Sequence, residues 1–77
     1  MSTEPSHQRV YINGQEREVT VGQSLADALH ATMDIDPLYA KGVAVAVNDK
    51  VIRREDWKDV FLEPEDRVEV ITAQQGG

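Results

Sequence analysis

Only one stretch of this 77-residue sequence carries a helical period. Leu25, Ala28, Leu29, Thr32 and Met33 fall at i, i+3, i+4, i+7 and i+8, one face of a helix of about ten residues. The other apolar residues recur mainly at every second position, the period of a strand with one face in a core. A lone helix cannot bury its own stripe, so it must lie across the sheet those strands make. Ten valines and four isoleucines against four leucines suit that reading. With no cysteine in the chain, no disulfide supports the fold. At this size a chain buries only about 60% of its unfolded surface, so one shared core must suffice. Thiol catalysis, a C-x-x-C redox pair, a cysteine-held iron–sulfur cluster and a cysteine zinc cage are excluded as well.

Residues 9–13 alternate around Val10 and Ile12, and residues 16–21 around Val19 and Val21. Asn13-Gly14 between them tolerates positive φ and predicts a tight hairpin turn. Gly22 ends the second strand, and Ser24 with Asp27 three residues on forms a capping-box pattern with Asp in place of Glu. Asp34, Asp36 and Pro37 end the helix, because the residue before a proline avoids helical angles. A third strand is expected over Val43–Val47, then a turn at Asn48-Asp49 and a short fourth strand at Val51-Ile52. Trp57, Val60, Phe61 and Leu62 are expected to add core bulk in a connecting segment. Glu63-Pro64-Glu65-Asp66 suits a type I turn before a last strand over residues 67–73, with Val68 and Val70 inward. This order predicts an α+β domain, a ubiquitin-like β-grasp of about five strands in a mixed sheet on one main helix. The first and last strands would lie side by side in its middle. Residues 1–8 read as a flexible polar extension, 9–73 as the domain and 74–77 as a flexible Gly-Gly tail.

The formal net charge of −6 and the lack of a basic stripe argue against a nucleic-acid partner. An acidic surface favours encounters with basic clefts. The longest apolar run, Val43–Val47, is far short of a membrane span, and residues 1–8 do not read as a secretory signal. A cytoplasmic protein is expected, with no membrane partner.

The closing Gln74-Gln75-Gly76-Gly77 is the candidate site. Extended, residues 72–77 reach roughly 20 Å, enough for Gln75, Gly76 and Gly77 to thread into another protein while the body docks outside. A free α-carboxylate, with a pKa of about 3.5, is ionised and a poor electrophile at neutral pH. Accepting a nucleophile requires activation, for example as an acyl-adenylate, and this chain has neither G-x-x-x-x-G-K-[ST] nor G-x-G-x-x-G to bind a nucleotide. Glycine suits the substrate half of such a reaction, since a chain without Cβ passes a narrow channel. The chain reads as a substrate of other enzymes rather than an enzyme, with no catalytic residue and no bound cofactor.

The run Gly42-Val43-Ala44-Val45-Ala46-Val47-Asn48, then Trp57, then Glu65-Asp66-Arg67-Val68-Glu69-Val70-Ile71-Thr72 and the closing Gly76-Gly77 resemble the ThiS family, within the ubiquitin-like ThiS/MoaD group. The resemblance covers residues 10–77. It implies a sulfur carrier of thiamin thiazole synthesis. A ThiF-type adenylyltransferase would use ATP and magnesium to adenylate the Gly77 carboxylate. Cysteine-derived sulfur, relayed as a persulfide by a desulfurase, would displace AMP and leave a thiocarboxylate. The thiazole synthase ThiG would then take that sulfur. The MoaD branch, the small subunit of molybdopterin synthase, tends to have aromatic residues and proline before its tail, which Thr72-Ala73-Gln74-Gln75 lacks. A ubiquitin-like modifier joined through Gly77 is a further alternative. A TGS-like interaction module, from a different class, fits the acidic charge and free Gly-Gly end less well.

Tyr11, Ala46 and Ile71 are expected on the sheet face away from the helix, as a small apolar docking patch. Glu63, Glu65, Asp66 and Glu69 would form an acidic rim near the tail. His7 and His30 lack a third ligand for a metal site, and Asp34 and Asp36 lack EF-hand spacing. Tyr39 and Trp57 are expected in or near the core.

Overall fold

Asn13 and Gly14 have φ of 53° and 79°, the two positive values that a type I′ turn needs to match the twist of its strands. In the computed structural model, which describes residues 6–72, they join strand β1, His7–Ile12, to β2, Gln15–Thr20. Helix α1, Leu25–Met33, follows, then a 3₁₀ turn at Pro37–Tyr39. Strands β3, Val43–Val47, and β4, Lys50–Ile52, form a second hairpin. A 3₁₀ segment, Arg54–Asp59, leads towards β5, Arg67–Thr72. The sheet order β2-β1-β5-β3-β4 makes it a β-grasp. As the pattern predicts, β1 and β5 are parallel neighbours in the middle.

The Ser24 hydroxyl accepts the Asp27 N–H at 3.1 Å, supplying one side of the expected cap at the start of α1. At its other end Asp34 takes a left-handed conformation, φ 56°, and donates its N–H to His30 O. The buried stripe of α1 is Leu25, Ala26, Ala28 and Leu29, so Met33 is largely free of the core. These residues meet Val10, Ile12, Val45, Val68 and Val70 from the sheet, with Trp57 and Leu62 closing the side.

Several boundaries and orientations differ from the sequence reading. β1 begins at His7, so His7 and Gln8 belong to the sheet rather than to an extension, and Gln8 Nε2 donates to Leu62 O at 2.7 Å. Val21 lies past the end of β2 and is exposed, because Gly22, φ 92°, turns the chain away. Phe61 is 60% exposed. The segment is extended there, so Val60 and Leu62 face inward and the residue between them cannot. Glu65 has φ 72° and Asp66 N donates to Glu63 O. Pro64 cannot take positive φ, so the turn is type II rather than type I. Tyr39 is exposed, and Ala40 behind it occupies the core position. Among the described residues no helix is long and apolar enough to cross a membrane.

Leu29 is fully buried, so Leu29→Ala should cost about 2–5 kcal/mol in urea unfolding. Met33→Ala, near the surface, should cost distinctly less.

Candidate functional site at the end of the last strand

The sequence reaches its Gly-Gly pair through β5, and both sides of that strand are held. On one side β3 pairs along its length, from Val47 opposite Val68 to Val43 opposite Thr72. On the other, β1 contributes only Tyr11 beside Arg67 and Ile12 beside Val68. Tyr11 N donates to Asp66 O at 2.9 Å and Asn13 N to Val68 O at 2.8 Å. There the main chain of β1 turns away. The Asn13 side chain takes over, its Oδ1 accepting the Val70 N–H at 2.8 Å. An amide oxygen thus stands in for the next carbonyl of β1 and keeps a half-buried donor satisfied. β5 is fixed on both sides to within two residues of Thr72. The tail residues singled out in the sequence, Gln75, Gly76 and Gly77, lie outside the described residues.

The face of the sheet away from α1 carries the three expected docking residues, but does not bring them into one cluster. Ile71, 62% exposed, stands opposite Ala44, and Ala46 stands opposite Glu69 on one side and Val51 on the other. Ile71, Ala44, Ala46 and the exposed Val51 therefore make a continuous apolar strip across β5, β3 and β4. Tyr11 is half-buried and set apart, beside Arg67 on β5 and Glu16 on β2. It borders a shallow groove of about 560 Å³ whose walls include Gly14, Glu65, Arg67 and Glu69. The expected patch left out Ala44, which strand parity turns outward with Ala46, and Val51, whose place needed the register of β4.

Charges on this face are arranged in pairs. Arg9 Nη1 lies 3.3 Å from Glu16 Oε1, and Glu16 holds the guanidinium pKa above its ordinary value. Arg67 lies 3.5 Å from Asp49. The expected acidic rim near the tail is not formed. Glu63, Glu65 and Asp66 precede β5, whose six residues separate them from the exit by about 20 Å, and of the four only Glu69 lies within the strand. Asp66 is already engaged, accepting from Asn48 Nδ2 at 2.9 Å and from Glu63 N at 2.8 Å. His7 opens β1 and His30 sits on the exposed side of α1. Among the described residues no three metal-ligating side chains converge.

A ThiS family model matches residues 10–77, which takes in the described sheet from Val10 of β1 onward and runs on through the Gly-Gly pair. The chain belongs to the ThiS family. Among solved structures it is similar to the thiamine biosynthesis protein ThiS from Geobacter metallireducens. The two are 25% identical, the match covers 91% of this chain and all of the other, and the TM-score is 0.66. A search of curated proteins gave no match. Asn13 steadies the end of β5, from which the sequence continues to the Gly-Gly pair, from the β1 side.

Asn13→Gly, which tolerates the positive φ of the turn, should leave the Val70 N–H without its acceptor, so exchange of that amide with deuterium should accelerate at least about tenfold, corresponding to about 1.4 kcal/mol. Amides in β2 should be little affected, a comparison that NMR exchange makes directly.

Proposed function

We propose that this protein carries sulfur for thiazole formation in thiamine biosynthesis, as a thiocarboxylate on Gly77. The observation that supports this most is the family match through residue 77, which joins the Gly-Gly end to a sheet that steadies its point of departure. Sulfur then rides on the main-chain carboxylate, and a chain without cysteine is equipped for the task.

A carboxylate oxygen of Gly77 attacks the α-phosphorus of ATP on a ThiF-type adenylyltransferase, releasing pyrophosphate and leaving an acyl-adenylate. A persulfide formed with cysteine-derived sulfur by a desulfurase attacks the carbonyl carbon, and AMP departs. Cleavage of the acyl disulfide by a thiol frees the thiocarboxylate, whose sulfur is its softer and more nucleophilic atom. The thiazole synthase ThiG takes up that sulfur. ATP and magnesium belong to the adenylating partner, and this chain is a cosubstrate in the cytoplasm. The strip of Ile71, Ala44, Ala46 and Val51 offers apolar area to a partner beside the departing tail, with Tyr11 at a separate position on the same face.

Three measurements test this reading. Mass spectrometry of intact protein from its host should show one carboxylate oxygen replaced by sulfur; isopeptide conjugates in its place would indicate a modifier. Deleting Gly77 should abolish ATP–pyrophosphate exchange with the cognate enzyme while leaving the thermal midpoint unchanged, and Gly76→Val should impair exchange more than Gly76→Ala. Ile71→Glu should weaken capture of the adenylating enzyme with little effect on melting, since Ile71 is outside the core.

A further inference from the structure

Leu38 and Tyr39 are 81% and 80% exposed, more than any other large apolar residues described. They are held in place. The Asp36 carboxylate accepts the Leu38 N–H at 2.9 Å, Asp36 O accepts the Tyr39 N–H at 2.9 Å, and Ala40 just behind them is buried. A fixed turn that offers a leucine and a tyrosine to water gains nothing for the core, and such residues anchor interfaces well.

Leu38 and Pro37 form one wall of a groove of about 340 Å³, and Arg54, Glu55 and Lys58 form the other. Glu55 is occupied. Its pKa is lowered, first by its own backbone N–H and then by Arg53, whose Nε lies 3.1 Å away. Arg54 and Lys58 enter no ion pair among the described residues. Asp56 and Asp59, three apart in a 3₁₀ segment, share another edge of it. A chain of net charge −6 therefore presents an apolar turn bordered by two unpaired cations.

The location connects this surface to the tail. Tyr39 precedes Val43 by four residues and so lies within about 14 Å of it, and Val43 pairs with Thr72 where β5 ends. An enzyme that draws the residues after Thr72 into its active site must approach this end of the domain. The sheet strip around Ile71 and the Leu38 turn would then flank the tail from two directions.

We propose that Leu38, Tyr39, Arg54 and Lys58 form a second docking surface for the enzyme that activates Gly77, seating a segment of its rim that carries an aliphatic side chain flanked by carboxylates. This inference rests on the carrier function proposed above. The apolar residue fills the groove against Leu38 and Pro37, and the carboxylates meet Arg54 and Lys58. Binding here raises affinity for the carrier and leaves the adenylation step itself unchanged.

The test is ATP–pyrophosphate exchange with the purified adenylating enzyme of the host, titrated with the full-length carrier. Two double variants are compared with wild type, Leu38→Ser with Tyr39→Ser and Arg54→Glu with Lys58→Glu. Each should raise KM for the carrier about tenfold at unchanged kcat, with an unchanged thermal midpoint. Added salt should raise the wild-type KM and lower that of the charge-reversed variant, since it screens attraction in the first and repulsion in the second. Active wild type with unaltered KM for both variants overturns this inference and leaves the carrier function intact. Wild type that supports no exchange overturns the carrier function, and this inference with it. A dimer in sedimentation equilibrium that Leu38→Ser with Tyr39→Ser dissolves would show the turn covered by a second copy, and would also overturn it.

Discussion

The parallel pairing of β1 with β5 is the contact on which the rest of the fold depends. Parallel neighbours cannot be joined by a hairpin and need a long crossover. Here the crossover is most of the domain, including α1, both 3₁₀ segments and the β3–β4 hairpin. Bringing residues 11 and 67 together thus encloses every element that contributes to the core. The same geometry decides at which end of the molecule β5 finishes. Since β5 runs in the direction of β1, its end emerges beside the Asn13-Gly14 turn, and Asn13 is available to hold Val70 there.

The two ends of β5 are built differently. At its start the chain is tied down by polar groups. Asn48 both accepts from Arg67 N and donates to Asp66, while its own N–H donates to Arg67 O. At its finish, the nearby surface is apolar and open, with the exposed Ile71 beside Ala44. Satisfied polar groups add rigidity but offer little to a partner, whereas uncovered apolar side chains do the reverse. Side-chain anchoring is thus concentrated at the start of the strand, with the bond of Asn13 to Val70 the last polar tie before its open finish.

Much of this could be read from the sequence because it depends on local periodicity. The single helical repeat, the Asn13-Gly14 turn, Val43–Val47 as a strand and the inward Val68 and Val70 all follow from spacing and turn chemistry. What escaped depended on neighbours far away in the chain. Phe61 is apolar, yet the extended backbone between Val60 and Leu62 sends it outward. Val21 continues the alternation of β2 and still donates its N–H to Ser6 O, but the turn at Gly22 leaves its side chain in solvent. The acidic residues near Pro64 are close to the tail in sequence and a strand's length from it in space. Asn13 was legible as a turn residue, while its bond to a strand 57 positions away was not. At the Gly-Gly end, the resemblance to a known family carried more than any spacing could.

Trp57, the only tryptophan in the chain, is fully buried, and its indole N–H donates to Ile52 O at 3.1 Å. It also stands in the segment that packs against α1, outside β5 itself. The molecule consequently contains its own optical gauge of integrity. Its fluorescence follows the packing of the interior. A carrier that has lost activity can therefore be distinguished, without any label, from one that has lost its shape.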